Sequence, residues 1–216
     1  MKLSSLEYCS LLTYCPRGDS EEIQRARNIM HAIKGDRYVD TPPVLMSQWI
    51  AKTIAKNRTN LPFASYFQPD TILVPVPNSS LMQPDTLWVP HRIADALMGQ
   101  GLGREVVQCL ARITPVNKSA TSQPSQRPTP QTHYESLAVQ GRLSEPRNIL
   151  LVDDIITRGS TILGSANRLA DLYPQANIKA FAAMRTMSNA TDFKNFYDSC
   201  VGTIQLRQSG DTLRRP

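Results

Sequence analysis

Residues 148 to 172 constrain the fold more than any other stretch of the chain. An apolar run, Ile149 to Val152, ends in two adjacent acids, Asp153 and Asp154, and leads through a hydroxyl-bearing turn into an amphipathic segment. Such a run reads as a parallel strand buried on both faces. Ser160 to Leu172 reads as a helix, because Ile162, Leu163, Ala166, Leu169 and Ala170 share a face and Pro174 stops it. The turn therefore sits at a strand's carboxyl end, where open α/β sheets bind ligands, and a helix start there attracts an anion. Thr157, Arg158, Gly159, Ser160 and Thr161 suit a phosphate group, since glycine lets the backbone come close and hydroxyls add donors. Asp153 and Asp154 repel phosphate. They suit sugar hydroxyls as acceptors, or a magnesium ion that reaches them through substrate or water. The plain alternative is an acidic turn capping an ordinary helix.

The rest of the chain is compatible with one α/β core. Its 216 residues and 41% apolar content need no disulfide staple, and Cys9, Cys15, Cys109 and Cys200 lack framework or zinc-ribbon spacing. No run is long enough for a membrane span and Met1 to Cys15 lacks a secretory pattern, so a cytoplasmic location is expected. A net charge of +6 and a pI near 9.3 suit nucleic acid or a polyanionic small molecule alike. No interleaving of aromatic and basic residues supports nucleic acid directly. Between Arg112 and Tyr134 there is no carboxylate, while Arg112, Lys118, Arg127 and His133 fall in that segment. Gly99, Gly101 and Gly103 follow a helix and precede a strand, so they read as a turn rather than a dinucleotide loop, and no Walker loop occurs.

Ser20 caps a helix that runs to about Gly35, and a second helix is expected from Pro42-Pro43 to about Asn57, burying Met46, Trp49, Ile50 and Ile54. Strands are expected near 71 to 76, 105 to 111, 149 to 153 and 177 to 184, with Trp88 in the core face of an intervening helix. Thr114 to Glu135 loses apolar periodicity and reads as a lid over a site, or as a solvated tether. Arg185, Thr186 and Ser188 emerge on the ligand side, while Phe193, Phe196 and Tyr197 fall in helical register. The fold expected is a doubly wound, mainly parallel α/β sheet. An N-terminal helical segment (1 to 66) precedes the main domain (67 to 205, lid about 114 to 136), and a mobile tail (206 to 216) follows.

Leu150 to Thr161, two acids followed by Thr-x-Gly-Ser-Thr between a strand and a helix, resembles the ribose-phosphate signature of the type I phosphoribosyltransferases. The surroundings, including Met30 to Arg37, are most similar to the ComF-like (competence protein) branch without its N-terminal zinc ribbon. The resemblance implies transfer of phosphoribosyl from 5-phosphoribosyl 1-diphosphate to a nitrogen acceptor, with magnesium and release of diphosphate. It gives Asp153 and Asp154 the ribose, Thr157 to Thr161 the 5-phosphate, and the loop at Pro77, Asn78 and Ser79 the diphosphate, covered by Lys118 and Arg127. A homodimer is compatible with it. Two other readings stay open: a sensor that binds the sugar diphosphate or a nucleotide without turnover, and a DNA-uptake factor with salt-dependent binding to single strands.

Overall fold

A computed structural model describes residues 1–83, 85–117, 126–141, 143–144 and 146–216. Its frame is a seven-stranded sheet ordered β11-β10-β1-β9-β8-β4-β5. The strands are β1 (Ser5–Tyr14), β4 (Thr71–Pro75), β5 (Glu105–Val106), β8 (Asn148–Ile156), β9 (Asn177–Thr186), β10 (Cys200–Leu206) and β11 (Thr212–Arg215). From β1 to β5 the neighbours in this order run parallel, and only β10 and β11 pair antiparallel. The architecture is thus the mainly parallel α/β sheet read from the sequence.

β8 lies between β9 and β4 and is covered on both faces, which is why its apolar run does not alternate with polar residues. Leu150 and Val152 point into one core, shared with α1 (Glu21–Gly35), α2 (Met46–Asn57), α3 (Val89–Gly99), Phe63 and Phe67. Ile149 and Leu151 point into the other, shared with α5 (Ser160–Leu172), Tyr8 and Ile204. Each such burial stabilises by about 1.5–3 kcal/mol. The chain leaving β8 toward α5 is thereby held on a rigid edge.

Several expectations are corrected. Residues 1 to 66 are not simply a helical segment packed on the core, because β1 is an inner strand of the sheet between β10 and β9. Polar residues hid it: Ser10 and Thr13 are buried, with the Ser10 hydroxyl 3.4 Å from Cys200 Sγ and Thr13 Oγ1 donating to Asp198 O at 3.1 Å. The second helix starts at Met46, after β2 (Tyr38–Val39) and β3 (Val44–Leu45) pair as a hairpin that contains both prolines. The expected strand near 105 to 111 divides. β5 joins the main sheet, and β6 (Leu110–Arg112) pairs with β7 (Leu137–Val139) in a separate ribbon. Phe193, Phe196 and Tyr197 follow a single 3-10 turn, Ala190–Asp192, rather than forming a helix. The tail at 206 to 216 contributes β11, paired to β10, because the turn after Leu206 lets the chain double back with Arg207 N donating to Asp211 O at 2.8 Å. Part of the expected lid is also regular: α4 (Pro130–Glu135) is capped by Thr129 and lies on α5. Its contact is close at Gly164, where a Cβ would come 2.7 Å from His133 Cβ and 2.8 Å from Pro130 O. Among the described residues no helix is long and apolar enough to cross a membrane.

One buried carboxylate joins the helices of the first layer. Asp36, just past α1 with φ 42°, accepts from Ser47 N at 2.8 Å, and its other oxygen pairs with Arg92 Nη1 on α3 at 3.2 Å. It supplies α2 with the N-terminal acceptor that Leu45, at the cap position, lacks. Asp36→Ala should lower the unfolding free energy by about 1–3 kcal/mol, since it removes a helix cap and leaves a buried donor unpaired; urea denaturation checks this.

Candidate functional site

At the carboxyl end of β8 the chain turns through Thr157, Arg158 and Gly159 into α5. Gly159 is the cap residue at φ 86°, and no side chain caps the helix. A Cβ there would lie 2.7–2.9 Å from three carbons of Ile204, so both backbone conformation and space require glycine. The first turn of α5 borders a concavity of about 90 Å³ lined by Asp153 and by Ile155 through Ile162. Free amides and the positive end of the helix dipole make this cradle fit for an anionic group. A larger concavity, about 670 Å³, lies elsewhere, between α2 and α3 near Asp36, and holds none of the expected site residues.

The expected 5-phosphate residues are brought together, but their hydroxyls already have partners. Thr157 Oγ1 lies 3.3 Å from Thr186 Oγ1, Ser160 Oγ lies 3.0 Å from Thr212 Oγ1, and Thr161 Oγ1 lies 3.2 Å from His133 Nε2. Arg158 grips both oxygens of Asp211 through Nη1, at 2.7 and 2.6 Å, while its buried Nη2 has no partner among the described residues. Recognition of an anion here would therefore fall mainly to main-chain amides and to Arg158.

Asp153 and Asp154 stand together beside the cradle. Asp153 Oδ1 accepts from Asp154 N at 2.9 Å, and Asp154 Oδ1 accepts from Ile155 N at 2.7 Å. Lys34, at the end of α1, pairs with Asp154 Oδ2 at 3.3 Å. Enclosure pushes the Asp153 carboxyl well above the usual carboxylate range, with Asp154 adding to the shift and Lys34 offsetting part of it. Among the described residues no group of three or more His, Cys, Asp and Glu is placed to hold a metal alone. The adjacent carboxylates are hard oxygen donors of the kind that hold magnesium together with substrate phosphates and water.

The loop after β4 carries the residues expected to meet a second anionic group, Pro77, Asn78 and Ser79. Val76 N donates to Val152 O at 2.9 Å, which fixes the loop beside the end of β8. Pro77 is buried, while Asn78 and Ser79 are half-buried. Asn78 Nδ2 donates to Leu87 O at 3.3 Å, and Trp88, half-buried rather than in the core, donates through Nε1 to Val76 O at 2.8 Å. Arg127 is half-buried, and Lys118 lies outside the described residues. Of the residues at the end of β9, Arg185 is taken up by Asp198, and Thr186 meets Thr157 and Arg214.

Sequence reasoning left Arg112 and His133 out of the site. Arg112 is 5% exposed, donates through Nε to Asn78 O at 3.0 Å and through Nη1 to Ser136 Oγ, and has a buried Nη2 without a partner among the described residues. No carboxylate pairs with it among the described residues. Burial lowers its pKa to about 10. His133, 2% exposed, is pushed down to about 3 by burial and then by Arg112 and Arg158, so it is neutral, and its Nδ1 lacks a partner among the described residues. A buried guanidinium without a counter-ion is costly unless an anion completes it. The sequence signal was the segment without carboxylates.

No family model and no curated protein matches the chain. Among solved structures it is similar to a hypoxanthine phosphoribosyl transferase of Trypanosoma cruzi, at 14% identity, 76% of each chain covered and a TM-score of 0.33. A likeness this loose carries no argument. The fold rests on its strand order and the site on its own geometry.

Gly159→Ala should destabilise the chain by about 1–3 kcal/mol, the scale of a residue forced into positive φ, and thermal melts check it. Asp153→Asn should raise the melting temperature at neutral pH. Between the ordinary Asp pKa, about 3.9, and the raised one, the folded chain keeps a proton that the unfolded chain has lost, so stability falls as pH rises. The gain from Asn should shrink as the pH is brought down toward the ordinary value. Melting curves with no such pH dependence would show an ordinary carboxyl.

Proposed function

We propose that the chain binds 5-phosphoribosyl 1-diphosphate with magnesium and transfers the phosphoribosyl group to a nitrogen acceptor, releasing diphosphate. The observation that carries the reading is the cradle itself: on one strand-turn-helix, Asp153 and an open helix start line one concavity, with Asp154 adjacent to them. The anion-seeking amides and the hydroxyl-seeking carboxylates match the two ends of a phosphorylated pentose. The unpaired guanidinium of Arg112, bonded to the loop at Asn78, supports a second anionic group on the same ligand.

In this reading the amides of the first α5 turn and Arg158 hold the 5-phosphate, which does not react, and so orient the sugar carbon that does. Asp153 and Asp154 accept from the ribose hydroxyls. Asp153 gives up its retained proton when a cation is bound beside the pair, and the negative charge then favours the positive charge that develops on the ribose as its bond to diphosphate loosens. The acceptor nitrogen gives its lone pair to that carbon, the carbon–oxygen bond breaks with its electrons leaving on diphosphate, and the nitrogen's proton passes to solvent. Arg112 stabilises the departing charge. Magnesium, held by the two aspartates through water or substrate, would supply further neutralisation of the diphosphate.

Incubation with 5-phosphoribosyl 1-diphosphate, magnesium and a panel of purines, pyrimidines and amines tests the reading by release of diphosphate. Release should depend on an acceptor. It should fall by about 100-fold or more in Asp153→Asn/Asp154→Asn, the order of magnitude carried by groups that stabilise transition-state charge. Tight binding with no release on any acceptor would instead favour a sensor that binds the sugar diphosphate without turnover.

A further inference from the structure

The C-terminal strand lies at one end of the sheet order, yet its side chains reach the cradle four strands away in that order. The antiparallel pair β10-β11 curls back over the α5 face, so that Ile204 of β10 abuts Gly159 and the end of β11 abuts Gly202 and Tyr8. Three residues, Asp211, Thr212 and Arg214, then join β11 and the turn before it to the cradle. Asp211 takes Arg158, and Thr212 takes Ser160. Arg214 Nε donates to Thr157 O at 2.7 Å, and its two remaining nitrogens donate to Tyr8 OH at 2.5 Å and to Thr186 O.

We infer that Asp211 and Arg214 are positioning residues of the anion cradle, so that ligand affinity depends on the last six residues of the chain. The inference rests on the proposal that the cradle binds a phosphate group. Arg158 lines the cradle, and Asp211 occupies only its Nη1, leaving Nη2 buried and unpartnered. A guanidinium is a planar fork, so fixing one nitrogen on a carboxylate fixes the direction of the other. Asp211 is itself oriented, because its Oδ1 accepts from Thr212 N at 2.8 Å. Arg214 acts on the opposite side of Arg158 in sequence. By holding the carbonyl of Thr157 it fixes the peptide plane between Thr157 and Arg158, and with it the direction of the Arg158 amide. The phosphate contacts are thus set before a ligand arrives, which lowers the ordering cost of binding.

The test is titration calorimetry of the full chain with ribose 5-phosphate, at a temperature well below every variant's melting point. Asp211→Asn keeps the shape of the side chain and removes its charge. Arg214→Met removes the grip on Thr157. Arg215→Met, on the exposed neighbour in β11, is the control. The first two should each weaken binding about tenfold or more, the scale of one charge-assisted hydrogen bond, while the control binds like the original chain. Amide hydrogen exchange should speed up at residues 157 to 161 in Arg214→Met and stay unchanged in β8 and β9. Binding unchanged in both Asp211→Asn and Arg214→Met overturns the inference and leaves the cradle reading intact. Failure of the original chain to bind ribose 5-phosphate overturns both. Should Arg214→Met not fold, Asp211→Asn and a second variant, Asp211→Glu, decide the matter.

Discussion

The burial of β8 on both faces is the constraint on which the rest depends. A strand held between two parallel neighbours and covered by helices on one side and by α5 and the curled edge on the other cannot shift register without exposing its apolar residues. The turn beyond its last residues is therefore delivered to a fixed place. Asp153, Asp154 and the turn at Gly159 stand there because Ile149 to Val152 are locked beneath them. The loop after β4 shares that edge because β4 pairs with β8 in register, and the hydrogen bond from Val76 to Val152 extends the pairing to the loop's first residue.

Charge is sorted across this edge. The acid pair lies toward α1, where Lys34 meets Asp154. The buried cations lie toward α4, where Arg112 reaches Asn78 and Ser136, and Arg158 sits close enough to depress the neutral His133. A ligand with an uncharged, hydroxyl-bearing middle and anionic ends suits that arrangement. Stability is given up on both sides, since Asp153 resists ionisation where it stands and Arg112 is enclosed without a counter-ion among the described residues. Such local costs in an otherwise well-packed fold accord with the proposed site, since perturbed titratable groups cluster at functional sites.

Much of this was legible in the residues. The unbroken apolar run fixed a buried strand, the periodicity after Ser160 fixed a helix, and Ser20 with its following acids marked the start of α1, where the Ser20 hydroxyl accepts from Ile23 N at 3.3 Å. The parts that were not legible failed for physical reasons. β1 carries buried Ser10 and Thr13 whose hydroxyls find partners only across the sheet, so its sequence did not read as an inner strand. β11 is short and rich in arginine, and only its pairing with β10 and the grip of Arg214 turn a polar tail into structure.

Local chemistry is written in consecutive residues, so the sequence by itself determined the strand-turn-helix and its adjacent acids. Tertiary structure decided what surrounds them. It engaged the hydroxyls of Thr157, Ser160 and Thr161, placed Arg112 and His133 beside the turn, and brought β11 against that turn. The reason is range: a periodic pattern reports a residue's own element, whereas Arg158 with Asp211 and Thr157 with Arg214 meet only because a sheet seven strands wide curls back on itself.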